Sequence, residues 1–429
     1  MSSSAATASV SAQGSTADGE FGRGWKALVA CFLGIGFGMS PMFMFTTGIF
    51  AGALEREFGW SRSEIMGAAI FDTIAVLTTG LFAGRLIDRI GARPVALVSC
   101  VMLGLMTMAL SLTTSSILFF YAITALRAFT AVGTMPPAFA KVVSANFDKR
   151  RGLALGIALS ATGFAGMILP PYLHVFITQF GWRTAYVALG MLPLMIALPA
   201  IAFMLPRNDG KNAIAAHAAA TGQSIPPALE GVSVKEALSG YRFWLMGAVA
   251  MGAGLGLGGI LGNLVPLLID RGFSPGVAAS QLSLYGLVIV IGRLFAGWLL
   301  DRHWAPAVGS VFLAAPAIGA ALLWSGADTL GMVSIAVVLV ALASGAEFDL
   351  MAFLTSKYFG RRNFSALYSG QNALFAAGAG VSPAIFGLVH DRTQSYTPAL
   401  LIASLVFAAS AMAILALGRY PQLPVAEPA

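Results

Sequence analysis

Five charged residues lie inside long apolar runs of this sequence, where charges are rare. They are Asp72, Arg127, Arg293, Glu347 and Asp349. On insertion scales, a charge at the centre of a bilayer costs about 2.5 to 3.5 kcal/mol unless it has a partner or faces a cavity. A guanidinium can bind both oxygens of a carboxylate, and a buried carboxyl group can take up and release a proton. These residue types therefore predict a site that binds an anion and moves a proton.

Arg293 is the first candidate for contact with the anion. It lies seven residues before the predicted end of its apolar run, which is about 10 Å deep. The alternative is a purely structural ion pair. Glu347 and Asp349 are two residues apart on one predicted helix and point to different faces, so we expect one of them to meet Arg293. Alternatively, both belong to a charge network at the end of their run.

Arg127 lies midway along another apolar run, and Asp72 is its natural partner in a neighbouring run. Arg127 is a second candidate for contact with the substrate, and Asp72, like Glu347 and Asp349, is a candidate to couple the proton. The alternative for Arg127 and Asp72 is an ion pair that only stabilises packing. Four polar residues are predicted to complete a substrate pocket, although single polar groups in membrane helices also form interhelical hydrogen bonds. These are Asn263, Tyr285, Gln371 and Asn372.

The elements that must position these residues are membrane helices. Of the 429 residues, 58% are hydrophobic and 10% are charged, whereas soluble domains carry about a quarter charged residues. This composition excludes a soluble enzyme, and a membrane helix needs about 20 apolar residues. Twelve runs meet that requirement: 26–51, 65–87, 95–113, 117–141, 152–177, 184–205, 242–268, 277–300, 306–325, 330–354, 366–389 and 398–418. We number them span 1 to span 12.

The longest polar interruption, 206–241, divides the spans six and six. The predicted organisation is a flexible cytoplasmic tail (1–24), an N-terminal bundle (25–205), a cytoplasmic linker (206–241), a C-terminal bundle (242–418) and a cytoplasmic tail (419–429). With alternating spans, 18 of the 25 Lys and Arg residues fall on the side of the termini and five on the other side. This asymmetry predicts cytoplasmic termini, and it explains the net charge of +7 without a nucleic-acid partner.

The two halves repeat each other at an offset of about 213 residues. The tripeptide Phe-Ala-Gly followed by Asp-Arg occurs at 82–89 and again at 295–302. Several such matches in order predict a duplicated six-helix unit, with both copies in the same orientation. Parallel six-helix repeats with a substrate site between them are the arrangement of major facilitator transporters.

The segment 84–93 reads GRLIDRIGAR and resembles the G-x-L-x-D-R-x-G-x-R signature of the major facilitators. The resemblance implies a latch on the cytoplasmic side that gates the pathway and does not bind substrate. The alternative is an ordinary loop of cytoplasmic cations. The residues assigned to gating are Gly84, Asp88, Arg89, Gly91 and Arg93, with Asp301 and Arg302 in the second copy.

The segment 147–158 reads FDKRRGLALGIA and resembles the F-x-K-R-R-x-L-A-x-G-x-A signature of the monocarboxylate transporters. The resemblance implies that Arg293 holds the substrate carboxylate and that Arg127 matches an arginine of proton-coupled major facilitators. The chain departs from animal monocarboxylate transporters in two places. It reads MFMFTT at 42–47, where they carry a lysine in the first span, and Ile289 stands where they have aspartate. Phe43 and Phe45 in span 1 are expected to line an apolar pocket for a bulkier acid, or else to pack in the core.

Catalytic and metal sites are not indicated, because the two Cys and four His residues are scattered without ligand spacing and there is no phosphate-binding loop. We predict an all-α membrane protein that is not an enzyme and needs no cofactor. It moves a small organic anion, a monocarboxylate, together with a proton across a bacterial inner membrane by alternating access. The alternatives are a proton-driven exporter of hydrophobic compounds, a membrane sensor that transports nothing, and an intramembrane enzyme.

Overall fold

The computed structural model describes residues 17–147, 151–206, 231–360 and 362–422. Within these ranges the regular structure is helical, and the single β-bridge joins Gly231 to Gly360. The all-α prediction is therefore confirmed.

The first six spans are built from helices that are interrupted at several points. Span 1 is broken into three pieces around Gly38 and Phe45, and span 4 is broken before Pro136, which begins a new helix. The helices are Ala17–Gly36, Met39–Met44 and Thr47–Phe58 (span 1), Arg62–Gly67 and Ala69–Ile90 (span 2), Ala92–Ala109 (span 3), Ile117–Ala131 and Pro136–Asn146 (span 4), Arg151–Leu192 (span 5 and the start of span 6) and Leu198–Met204 (span 6).

The second six spans are longer and mostly unbroken. A short helix, Val234–Ser239, precedes them, and Ser233 caps it by accepting a hydrogen bond from the Glu236 N–H. The spans are Tyr241–Asp270 (7), Pro275–Leu300 (8), Ala305–Trp324 (9), Leu330–Phe359 (10), Phe364–Thr393 (11) and Thr397–Ala413 (12).

Ten helical stretches among the described residues are long and apolar enough to cross a membrane. The longest of them, Gly152–Met204, contains two spans, because Gly181 has a φ of 81° and turns the chain between them. The helix Ala69–Ile90 supplies span 2. Twelve spans result, as predicted, although the loop expected between spans 5 and 6 is reduced to a kink at Gly181.

Buried side chains form two clusters. One draws its members from residues 27–205, and the other draws its members from residues 237–417 and from Phe45. Between the clusters, spans 5 and 8 cross at glycines: a Cβ on Gly286 would lie 2.6 Å from the carbonyl oxygen of Gly163. Only glycine allows the two backbones to approach this closely.

Because each half has an even number of spans, the start of span 1, the end of span 6, the start of span 7 and the end of span 12 lie at one end of the bundle. We call this end the terminal face. The opposite end, formed by the connections after the odd-numbered spans, is the distal face.

Candidate anion site and contacts between the halves

Arg293 lies in span 8, and its side chain is only 11% exposed. Its Nε is 3.3 Å from Oδ2 of Asp349 in span 10, a distance that makes an ion pair without hydrogen-bond geometry. Both Nε and Nη1 of Arg293 are buried and have no hydrogen-bond partner among the described residues. A buried guanidinium with free donors has capacity for an additional acceptor.

Span 11 adds two polar residues beside this pair. The hydroxyl of Tyr368 donates to the carbonyl oxygen of Phe348 at 3.4 Å, and Asn372 lies one helical turn further along, next to that hydroxyl. The Oδ1 atom of Asn372 is buried without a partner among the residues described. Tyr368 is missing from the sequence prediction, although its spacing of four residues from Asn372 places both side chains on one helix face.

Glu347 lies two residues from Asp349 on span 10, but its surroundings are different. It is 8% exposed and lines a cavity of about 30 Å³ inside the C-terminal half, among apolar side chains of spans 7, 9, 10 and 12. The expectation that only one of the two carboxylates meets Arg293 thus agrees with the geometry, and that carboxylate is Asp349.

The N-terminal half contains a second buried pair. Nη2 of Arg127 donates to Oδ2 of Asp72 at 3.2 Å, and these side chains are 8% and 10% exposed. The guanidinium carbon of Arg127 also lies 5.9 Å from the centre of the Phe43 ring, within range of a cation–π contact. Arg127 is hydrogen-bonded to its carboxylate, and its Nε alone is buried without a partner among the described residues, whereas both Nε and Nη1 of Arg293 are. Arg293 therefore has more donor capacity for an anion than Arg127.

Three residues predicted to line the pocket instead join helices to each other, so that part of the prediction is corrected. The Nδ2 of Asn263 donates to the carbonyl oxygens of Gly259 and Pro383, and the Nε2 of Gln371 donates to the carbonyl oxygen of Phe243 at 2.9 Å. Tyr285 shares a short hydrogen bond with Ser344. All three side chains are fully buried, where bonds between helices replace partners that lipid does not offer. Oε1 of Gln371 is the exception, since it has no partner among the described residues.

Phe43 and Phe45 of span 1 have different surroundings. Phe45 is fully buried and packs against Gly166, with its ring 6.4 Å from the ring of Tyr285. Phe45 therefore belongs to the core, and the expectation that it lines a pocket is wrong. Phe43 is partly exposed beside Arg127.

The residues assigned to gating lie near the terminal face. The side chains of Gly84 and Asp88 are outside the described residues, and so are Lys149 and Arg150 of the second motif. Gly91 has a φ of 100° and ends span 2, while Arg93 donates to the Ala202 carbonyl oxygen within its own half. In the second copy, Asp301 and Arg302 are exposed, and Arg302 lies over the Trp298 ring at 4.5 Å. Arg89 is exposed at the end of span 2.

A cluster at the distal face joins the two halves, and no pattern in the sequence predicts it. Arg62 forms a bidentate contact with Asp270, including a bond of 2.6 Å from Nη2 to Oδ1, and Nη1 donates to the Tyr396 hydroxyl at 3.1 Å. The backbone N–H groups of Arg62 and Ser63 donate to Asp391 at 3.2 and 3.0 Å. Arg62 and Asp270 lie at loop ends that sequence periodicity treats as ordinary solvated charges.

Close contacts at glycines join the two halves between the distal face and the crossing of spans 5 and 8. A Cβ on Gly387 would lie 2.8 Å from the backbone nitrogen of Ser63, and a Cβ on Gly48 would lie 2.7 Å from the Gly262 carbonyl oxygen. Nearer the terminal face, Gly156 of span 5 and Gly297 of span 8 have no atom within 4 Å of the position of a Cβ. The halves are thus in contact at the distal face and at the crossing.

The known proteins that this chain resembles in sequence are membrane transporters. A sequence model of the Major Facilitator Superfamily matches residues 27–383. Monocarboxylate transporter 4 of Gallus gallus is 24% identical over 408 residues, covering 93% of this chain and 83% of that protein. Monocarboxylate transporter 11 of Homo sapiens is 26% identical over 287 residues, covering 66% of this chain. The match spans only 58% of the length of that human protein.

Solved structures of similar fold include a variant of the nucleoside transporter NupG, with a TM-score of 0.70 and 12% identity. The alignment covers 92% of this chain and 99% of NupG. A D-xylose–proton symporter has a TM-score of 0.69 and 13% identity, with 92% and 98% covered. At these identities the likeness concerns the fold.

Proposed function

The chain belongs to the Major Facilitator Superfamily, and with that as the premise we propose that it carries a small organic anion with one carboxylate across a membrane. The observation that supports this most is the state of Arg293. Its guanidinium is buried, and two of its donor nitrogens have no hydrogen-bond partner among the described residues. A carboxylate can bind Nη1 and Nη2 at once, because that edge of a guanidinium matches a carboxylate as a bidentate pair, while Nε lies on another edge and faces Asp349.

The charge balance around the site favours one carboxylate over two. Asp349 supplies one negative charge at 3.3 Å, and a bound carboxylate would compete with it for Arg293. Arg127 is hydrogen-bonded to Asp72 in the other half, so a second carboxylate would also have to displace that bond. The monocarboxylate transporters among the relatives point in the same direction.

We further propose that the site is reached alternately from the two faces. The contacts of Arg62 with Asp270, Tyr396 and Asp391 close the distal face in this structure. An anion would then enter or leave through the terminal face, which is cytoplasmic by the distribution of Lys and Arg. Rocking of one half against the other about the crossing of spans 5 and 8 would open the distal face.

A proton is the proposed co-substrate, since a buried carboxyl group near the anion site can bind one proton for each anion carried. Transport would then be symport, and a pH gradient would drive it. The membrane is proposed to be a bacterial inner membrane, with the termini in the cytoplasm.

The test is uptake of labelled mono- and dicarboxylates, including pyruvate, by proteoliposomes under an imposed pH gradient. Wild type is compared with Arg293→Lys, which keeps the charge but loses the bidentate geometry. Arg419→Lys is the matched control, because Arg419 is an exposed cation of the same half. We expect carboxylate uptake by wild type and by the control, and strongly reduced uptake by Arg293→Lys. Absence of carboxylate uptake, or equal uptake by all three proteins, would refute the proposed anion site.

A further inference from the structure

Three buried carboxyl groups of the described spans are candidates to carry a proton, and two of them have an arginine partner. Asp72 lies 3.2 Å from Arg127, and Asp349 lies 3.3 Å from Arg293. An arginine at this distance favours the ionised carboxylate. Glu347 makes no ion pair with any residue of the described chain, which distinguishes it from the other two.

The surroundings of Glu347 suit an uncharged acid. The residue is 8% exposed, and its Oε2 is buried without a hydrogen-bond partner among the described residues. It borders a cavity of about 30 Å³ whose other walls are apolar, with Met246 from span 7, Phe312 from span 9 and Ile414 after span 12. An isolated carboxylate in such a site would lose its hydration without compensation, whereas the neutral acid loses far less.

The charged and titratable groups that face Glu347 come from three spans. Arg293 and the Tyr285 phenol belong to span 8, Asp349 belongs to span 10 itself, and the Tyr368 phenol belongs to span 11. Spans 7, 9 and 12 contribute only apolar groups to the cavity wall. The charge of Arg293 is therefore the one that can stabilise an ionised Glu347, and Asp349 already shares it.

We propose that Glu347 is the residue that carries the co-transported proton, an inference that rests on the anion site proposed above at Arg293. When a substrate carboxylate binds Arg293, it neutralises the cation that favours ionised Glu347. Glu347 then takes one proton from water to become a carboxylic acid, and it returns that proton to water after the substrate leaves on the other side. Anion and proton are thereby bound together, and the loaded site carries no additional charge.

Within span 10, pairing with Arg293 and holding the proton are tasks of two different residues. Asp349 faces Arg293 and is 35% exposed, so it can be displaced by substrate. Glu347, two residues earlier, points into the bundle behind that site and does not compete with substrate for the guanidinium. A helix places residues two apart on different faces, and this allows one span to hold both the displaceable partner and the acid.

The direct test is infrared difference spectroscopy of the full-length protein in lipid, with pH as the only variable. A protonated carboxyl group gives a C=O stretching band that a carboxylate lacks. We expect the band of a buried acid to grow in wild type as the pH is lowered, and we expect Glu347→Gln to lose it. The band should remain in Asp72→Asn, in Asp349→Asn and in the exposed control Asp328→Asn. A band that survives Glu347→Gln, or one that disappears in Asp72→Asn, would overturn the proposal.

A transport measurement tests the coupling itself. Labelled pyruvate is followed in proteoliposomes in two ways: net uptake with and without a pH gradient, and exchange of internal for external pyruvate at equal pH. Glu347→Gln should abolish the acceleration of uptake by the gradient and retain exchange, because the amide mimics the protonated acid. If the gradient still accelerates uptake by Glu347→Gln as in wild type, the proposal is wrong.

Failure of the proposed function and failure of the proton assignment can be told apart. If wild type moves no pyruvate, the proposed function fails for that substrate, and the infrared band still decides whether Glu347 holds a proton. If Glu347→Gln does not fold, Glu347→Asp retains a titratable group one methylene shorter. That variant should keep gradient-driven uptake with a displaced pH profile, and an unchanged profile would contradict the assignment.

Discussion

Removal of the Arg62 side chain should open the distal face. Its guanidinium makes two bonds to Asp270 and one to Tyr396, and all three cross between the halves. Hydrogen bonds to charged groups contribute about 1.5 to 3 kcal/mol each. Since Asp270 is 32% exposed, we take the net loss in Arg62→Ala as that of one such bond. A loss of about 1.5 to 3 kcal/mol shifts the equilibrium towards the distal-open state by about 10- to 150-fold.

The shift can be measured through a cysteine at Thr73. The side chain of Thr73 lies against Gly380, where spans 2 and 11 meet, so it is partly buried while the halves are in contact. Thr73→Cys is placed in a protein in which the two buried native cysteines, Cys31 and Cys100, are replaced by alanine. An impermeant maleimide is added to sealed vesicles with the distal face outward, and the labelling rate reports the open population.

Arg183→Ala is the matched control for this measurement. Arg183 also lies at the distal face and pairs with a carboxylate, but its partner Glu57 belongs to the same half, at 2.5 Å from Nη1. We expect labelling about 10- to 150-fold faster in Arg62→Ala and an unchanged rate in Arg183→Ala. Equal labelling of Arg62→Ala and the parent would refute the role of this cluster. Equal acceleration by both variants would show that loss of surface charge alone is responsible.

Three further changes follow from the same contacts. Gly387→Ala should also increase labelling at Thr73→Cys, because the new methyl group would lie 2.8 Å from the Ser63 nitrogen in the closed state; no increase would contradict that closure. Asp72→Asn should lower the free energy of unfolding by about 3 to 5 kcal/mol, since Arg127 would be left buried without its carboxylate. Thermal unfolding in detergent checks this, and Asp72→Asn with Arg127→Gln should recover part of the loss. Tyr368→Phe removes the hydrogen bond that joins span 11 to the Phe348 carbonyl oxygen beside Asp349, which contributes about 0.5 to 1.5 kcal/mol. Because this bond positions the two spans at the site, we expect the KM for pyruvate uptake to rise by up to about 12-fold; an unchanged KM would contradict that role.

The sequence predicts the spans well because their signal is local. Runs of about 20 apolar residues and the spacing of charges determine where helices cross a membrane. Breaks inside spans are harder to predict, because a Pro such as Pro136 is tolerated in some membrane helices and ends others. A kink at Gly181 replaces a predicted loop, because glycine readily adopts its φ of 81° and one residue is enough to turn the chain.

The site residues also differ in how far a local sequence pattern predicts them. Charged residues in apolar runs stand out in a sequence, so Arg127, Arg293 and their carboxylates were found. Neutral polar residues such as Asn263 and Gln371 have two uses in a membrane helix, and only their neighbours decide between them. The Arg62 cluster depends on contacts between residues more than 200 positions apart, and no local pattern encodes these.

The central claim is that the guanidinium of Arg293 binds the substrate carboxylate. Solid-state NMR can test this directly, by measuring dipolar coupling between carboxyl-¹³C-labelled pyruvate and ¹⁵N-labelled arginine side chains in protein reconstituted in lipid. We predict a coupling that matches direct contact in wild type and is absent in Arg293→Lys, while Arg419→Lys retains it. A coupling that persists in Arg293→Lys, or bound pyruvate without any coupling to arginine, would contradict the claim.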